Sequence, residues 1–162
     1  MVMLKLIKTL QRERSLDIRR AGLEDRGLVA LLFNQYRQFY GKASHLRDCC
    51  GFVGERLEAE DSVIFLAVTP DGDAAGFAQL YPSFSSVAMA RVYILNDLYV
   101  ASAYRRRGVA SGLLARSETF AREQGAVRLR LSTAVDNYRA QLLYESHSWQ
   151  KDDQFLHYNL SL

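Results

Sequence analysis

A chain of 162 residues, 49% hydrophobic and 24% charged, is long enough to bury roughly two-thirds of its unfolded surface, so it needs no disulfides or structural metal to fold. Its two cysteines, Cys49 and Cys50, are adjacent, offer neither a disulfide framework nor metal-ligand spacing, and read as free thiols of a reducing, cytoplasmic compartment. Residues 1–90 hold 11 basic and 11 acidic side chains and residues 91–162 hold 10 and 7, so the net charge of +3 is the size of one run, Arg105-Arg106-Arg107; a chain-wide field for nucleic acid is excluded.

Residues 1–15 mix Met, Leu and Ile with Lys5, Lys8, Arg12 and Arg14. The stretch is too short and interrupted for a signal peptide or a membrane span, and reads as an amphipathic lead-in to a single domain over 16–162. Leu16 to Arg19 alternates as a short strand, and Leu23 to Tyr40 places Leu28, Leu31, Leu32, Tyr36 and Tyr40 near helical spacing. After a loop at 41–44, Leu46 to Leu57 predicts a second helix. Val63 to Val68 is an apolar strand, Pro70 to Asp73 a turn, and Ala74 to Tyr81 its antiparallel partner. Pro82 to Ser86 reads as a polar connection before a long strand from Arg91 to Val100. A helix starting at Val109, striped by Leu113, Leu114, Phe120 and Ala121, ends with Gly125 in the usual C-terminal place. Val127 to Thr133 predicts a strand, Asn137 to His147 a helix, and Phe155 to Leu160 a closing strand. The passage from Val92 to Thr133 is a strand-helix-strand crossover, which makes those two strands parallel; the hairpins make the rest antiparallel. The result is an α/β fold on a mixed sheet.

The junction from Val100 to Ser111 joins a strand to a helix through a basic turn with one glycine. Such a junction aims backbone N–H groups and the positive end of a helix at one spot, which suits a phosphate. It is neither a Walker loop nor the dinucleotide fingerprint, which needs two more glycines. Taken alone, the arginine run also fits a solvated turn.

Arg105-x-x-Gly108-x-Ala110 resembles the Arg/Gln-x-x-Gly-x-Gly/Ala signature of the Gcn5-related N-acetyltransferases, and Leu95 to Trp149 is similar to that family's core in the order and spacing of its elements. The resemblance implies a central, mostly antiparallel sheet with one parallel crossover pair and helices on both faces. It implies acetyl-CoA as co-substrate and no metal. The pyrophosphate would be held by Arg105, Arg106, Arg107, Gly108, Val109, Ala110 and Ser111, the pantetheine arm or phosphate by Asn137, with Ala140 on the same helix, and the thioester carbonyl by backbone N–H groups of Leu98, Tyr99 and Val100. Tyr144 falls where a tyrosine protonates the departing thiolate, a near-balanced transfer from a phenol of pKa near 10 to a thiolate of pKa near 8.5. By spacing alone Tyr144 also fits a packed core position. Where the family's last helix ends in Gly-Phe, this chain has Ser148-Trp149.

Leu95-Asn96-Asp97-Leu98-Tyr99-Val100 further resembles a strand of the histone and polyamine (spermidine/spermine) branch, with Asn96 where the polyamine enzymes place a glutamate implicated in proton removal. An amide cannot be that base, yet an ammonium of pKa near 10.4 is only about 0.04% deprotonated at pH 7. Asp97 is left as a base acting through water, as the partner of a cationic acceptor, or as half of a structural ion pair; strand alternation turns it away from Asn96. Phe33, Tyr36, Tyr40, Tyr81 and Phe84, with Asp97, Asp152 and Asp153, would line a site for a cationic amine. The expected activity is acetyl transfer by direct attack of a primary amine: a small amine, a polyamine or a lysine side chain. Aminoglycoside or amino-acid acceptors, and an acyl-CoA sensor that binds without transferring, are the rival readings. His45, His147 and His157 have no metal spacing. Pairing of two copies through C-terminal strands is common in the family resembled; no membrane or nucleic-acid partner is expected.

Overall fold

The computed structural model describes residues 16–162, and the lead-in over residues 1–15 lies outside them. The described residues fall into two compact units, one ending at Leu131 and one running from Ser132 to Leu162. In the first, five strands form one sheet in chain order: β1 (Asp17–Arg20), β2 (Val63–Val68), β3 (Ala74–Ser85), β4 (Ala90–Val100) and β5 (Arg128–Arg130). Neighbours are antiparallel except β4 and β5, which are parallel as the crossover requires.

Helix α1 (Arg26–Phe39), entered through a 3₁₀ turn at Leu23–Asp25, and α2 (Leu46–Ala59) cover one face. Val29, Leu32 and Tyr36 recur on one side of α1 and meet Val53 of α2 with Ile64, Leu66 and Phe77 of the sheet. Helix α3 (Val109–Glu123) covers the other face, where Phe120 sets its ring edge-on to Phe65 at 5.6 Å and to Tyr93 at 5.3 Å. Two glycines set how closely α3 approaches. A Cβ on Gly76 would lie 2.7 Å from Tyr99 O and 3.2 Å from Val109 Cγ1, and one on Gly112 would lie 2.5 Å from Ile18 Cδ1. The start of α3 is thereby drawn against β3 and β4.

Three expectations are corrected. The polar connection at 82–86 is mostly strand: Pro82 pairs with Tyr93 and Ser85 with Ala90. A proline is tolerated there because β2 ends its pairing with β3 at Leu80, so Pro82 lies where that side of β3 is an edge. The predicted strand at 127–133 shrinks to three residues. The closing strand at 155–160 does not form; Phe155, Leu156, Tyr158 and Leu160 are exposed. Alternation gives a segment a face, but a strand also needs a ladder partner.

Candidate active site

β4 carries the centre of the site. Its register with β3 passes from Leu80–Leu95 to Gln79–Asp97, so Asn96 is an extra residue, a β-bulge. The bulge overrides the alternation expected for this pair: Asn96 is exposed and Asp97 buried, yet their side chains meet, Asn96 Nδ2 donating to Asp97 Oδ2 at 3.1 Å. On its other edge β4 pairs with β5 only from Val92 to Ile94. Beyond the bulge that edge has no ladder partner among the described residues. Ala101 N–H donates to Ala75 O at 2.9 Å, towards β3. Backbone groups alternate along a strand, so Tyr99 also points its N–H towards β3, while Leu98 and Val100 present theirs to the open edge.

The strand then runs through a 3₁₀ turn, Ser102–Tyr104, into the basic segment. Arg106 (φ +59°) and Gly108 (φ +79°) are both left-handed, and Gly108 is the N-cap of α3 with no side-chain cap over it. Val109, Ala110 and Ser111 form the first helical turn, whose N–H groups converge at the positive end of the helix. A Cβ on Gly108 would touch nothing, so the backbone angle and not space calls for glycine. The arginines divide their work. Arg105 donates from Nε to Val100 O at 3.0 Å and lies over the rings of Tyr99 (5.7 Å) and Phe39 (5.9 Å), bracing the turn against β4 and α1. Arg107 lies over Tyr104 at 5.8 Å, whose hydroxyl donates to Asp73 Oδ2 at 2.9 Å. Arg106 is exposed.

Asp97, 5% exposed, faces α1. Burial holds its carboxyl above the usual carboxylate range, opposed by hydrogen bonds from Asn96 and from Tyr36. Tyr36 sets its ring edge-on to Phe77 at 6.0 Å, Tyr99 at 6.1 Å and Tyr40 at 5.1 Å, and Phe33 stacks on Phe52 at 5.4 Å. Burial, then the charge of Asp97, push the Tyr81 phenol up. The Tyr81 hydroxyl accepts from Gln79 Nε2 at 3.1 Å, and Gln79 Nε2 also donates to Ser62 Oγ at 2.9 Å. Of the five expected aromatics, Tyr36 and Tyr81 therefore lie against Asp97, and Phe33 and Tyr40 pack on Tyr36 behind it. Phe84 does not: it is 70% exposed, out on the β3–β4 hairpin beneath Arg91 at 5.3 Å.

The second unit holds helix α4 (Tyr138–Ser146). Asn137 caps it, Oδ1 accepting from Ala140 N–H at 3.4 Å while Nδ2 donates to Thr133 Oγ1 at 3.2 Å. Tyr144 follows two helical turns later, its ring 6.1 Å from that of Trp149. Ser148 takes a left-handed backbone (φ +65°), and the N–H of Trp149 returns to Tyr144 O at 3.0 Å. Asp152 Oδ1 accepts from the backbone of Gln154 and Phe155, closing a turn of its own chain, and Asp153 is exposed. Asn137, Ala140 and Tyr144 thus belong to this unit; Asp97, Leu98 to Val100 and the basic turn belong to the first.

The profile of the Acetyltransferase (GNAT) family matches residues 28–149. The chain belongs to the GNAT family. The uncharacterized N-acetyltransferase YhfO of Bacillus subtilis (strain 168) is 44% identical over 147 residues, 91% of this chain and 98% of its own. A probable acetyltransferase of known crystal structure is 47% identical, with a TM-score of 0.85 covering 90% of this chain and 97% of its own. An aminoglycoside N(6')-acetyltransferase type 1 of Klebsiella aerogenes is 33% identical over 95 residues, 57% of this chain and 62% of its own.

GNAT enzymes use acetyl-CoA, and the turn fits such a donor: an uncapped helix start behind two left-handed residues is a concave set of N–H groups suited to a pyrophosphate. Among the described residues no helix is long and apolar enough to cross a membrane, and no three His, Cys, Asp or Glu side chains are grouped to hold a metal. Sequence reasoning missed Gln79, Ser62 and the bulge. The signal for Gln79 was there, a lone polar residue at an inward position of an apolar strand.

Proposed function

We propose that this N-acetyltransferase moves an acetyl group from acetyl-CoA to a primary amine by direct attack, with Asp97 taking a proton from the amine and Tyr144 giving one to the departing thiolate. Asp97 carries the reading: a buried carboxyl made more basic by burial, at a bulge beside the open edge of β4. A base works best when its pKa is drawn towards that of the proton it removes. Bound acetyl-CoA would supply the activated acyl carbon. The N–H groups of Leu98 and Val100 are placed to polarise its carbonyl as negative charge grows on oxygen. Gly108 to Ser111 hold the pyrophosphate, Arg106 and Arg107 add positive charge, and Asn137 orders the helix that bears Tyr144. The reading takes residues 16–162 as one domain, and a family match over residues 28–149, which includes part of each unit, supports it.

The polyamine kinship rests on Leu95 to Val100, where buried Asp97 replaces the glutamate missing at Asn96. Small amines, polyamines and lysine side chains remain within this reading. The Klebsiella relative supports an aminoglycoside as the second reading. The free thiols Cys49 and Cys50 support a cytoplasmic setting, and pairing of two copies is a further proposal. The test is release of free thiol from acetyl-CoA against a panel of alkylamines, polyamines, amino acids and aminoglycosides, beside Asp97→Asn and Tyr144→Phe. Transfer to one amine class, lost in Asp97→Asn, is expected. Tight CoA binding with no thiol release for any amine would make the protein a sensor.

A further inference from the structure

Gln79 is 1% exposed, and its Oε1 is buried without a hydrogen-bond partner among the described residues. Its amide nitrogen is already committed to Ser62 and Tyr81. A buried carbonyl oxygen left unmet costs about 1–3 kcal/mol, and among the described residues only Arg56 Nε shares that condition. Gln79 lies directly opposite Asp97 in the β3–β4 ladder. Such partners have Cβ atoms about 5 Å apart and share a face. That face brings two acceptor groups together, one of them charged, beside the rings of Tyr36 and Tyr81.

We infer that Gln79 is a specificity-determining residue of the acceptor site, its Oε1 and the Asp97 carboxylate together receiving the N–H groups of a primary alkylammonium. The inference rests on Asp97 being the acceptor's proton partner. A primary ammonium carries three N–H donors. Asp97 receives one and takes that proton before attack; Gln79 keeps a second, which fixes the direction of the lone pair left on nitrogen, and the third leaves to solvent as the tetrahedral adduct collapses to the amide. A quaternary ammonium has the same charge and no N–H, so it satisfies the carboxylate electrostatically but leaves Gln79 unmet.

The test titrates butylammonium and butyltrimethylammonium against the ¹⁵N-labelled protein, reading dissociation constants from the side-chain amide signals of Gln79 in the wild type and from shifted backbone amide signals in all forms. The wild type is expected to bind butylammonium about tenfold more tightly, the equivalent of one hydrogen bond. Gln79→Leu should bind both cations equally, whereas Gln79→Glu, which restores an oxygen, should keep the preference. Equal binding by the wild type, or a preference that survives in folded Gln79→Leu, overturns the inference. Should Gln79→Leu fail to fold, Gln79→Glu decides, and loss of the preference there overturns it too. An amide turned to offer N–H₂ to Asp97 would show as no preference in the wild type. Thiol release with butylamine separates the two claims. Transfer by Asp97→Asn at the wild-type rate removes the reading of Asp97. Transfer lost in Asp97→Asn but unchanged in Gln79→Leu, with the same KM for butylamine, removes the role of Gln79 alone.

Discussion

The basic turn and the cluster around Asp97 flank the same stretch of β4 and are made in opposite ways. The turn is backbone: Arg106 and Gly108 hold left-handed angles, the start of α3 supplies N–H groups, and its arginines are exposed. The cluster is side chains from three elements, with Gln79 on β3 and Asp97 on β4 buried and Tyr36 on α1 and Tyr81 on β3 half-buried beside them. A ligand held by backbone groups can be gripped without tuning any pKa. A proton acceptor needs a shifted pKa, and burial is the means. Donor binding and proton removal should therefore fail separately when each region is damaged.

The largest effect is expected at Asp97. Asp97→Asn should lower kcat by about 10²–10⁴-fold, the usual contribution of a general base, with CoA affinity kept. The same variant should be more stable than wild type at neutral pH. Because burial raises the Asp97 pKa in the folded state, the folded protein binds that proton more tightly than the unfolded chain does. The wild type therefore gains stability as pH falls through the folded pKa towards the lower unfolded one, and its deficit relative to Asp97→Asn closes. Thermal melts at neutral and mildly acid pH check the sign. Tyr144→Phe should cost about 10²-fold in kcat with unchanged CoA affinity; unaltered turnover would remove the tyrosine from the chemistry.

Changes to the backbone that frames the turn should be smaller and of another kind. Gly76→Ala pushes a methyl onto Tyr99 O and the start of α3, and should destabilise by about 1–3 kcal/mol in denaturant unfolding. Gly108→Ala forces an L-residue into φ +79° and should cost about 1 kcal/mol, with weaker CoA binding by calorimetry and little change in the pH dependence of turnover. Ser148→Gly in the second unit goes the other way. Glycine suits φ +65° better, so the variant should gain a few tenths to about 1 kcal/mol.

This contrast also separates what could be read from sequence from what could not. The turn lies in one continuous segment, so Arg105-x-x-Gly108-x-Ala110 was enough to locate it, and Gly108 needed only its local backbone angle. The parallel crossover and the helix beginning near Asn137 were legible for the same reason. The bulge at Asn96 was not, because it exists only in the register of β4 against β3; strict alternation placed Asn96 and Asp97 on opposite faces, and the extra residue undid that. Phe84 passed for an acceptor wall because an aromatic in sequence does not reveal that its hairpin projects away from Asp97. Arg105 was expected at a phosphate, and its two ring contacts could not be read from the run, because Phe39 and Tyr99 come from other segments. The strand expected at 155–160 failed on the other half of strand formation, the partner.

One protein preparation tests the separation directly: Asp97→Asn, with CoA binding measured by calorimetry and acetyl transfer to a reactive primary amine measured by thiol release on the same sample. Wild-type CoA affinity with transfer reduced about 10²-fold or more is the predicted result. Transfer at the wild-type rate, or loss of CoA binding in step with loss of transfer, would contradict it.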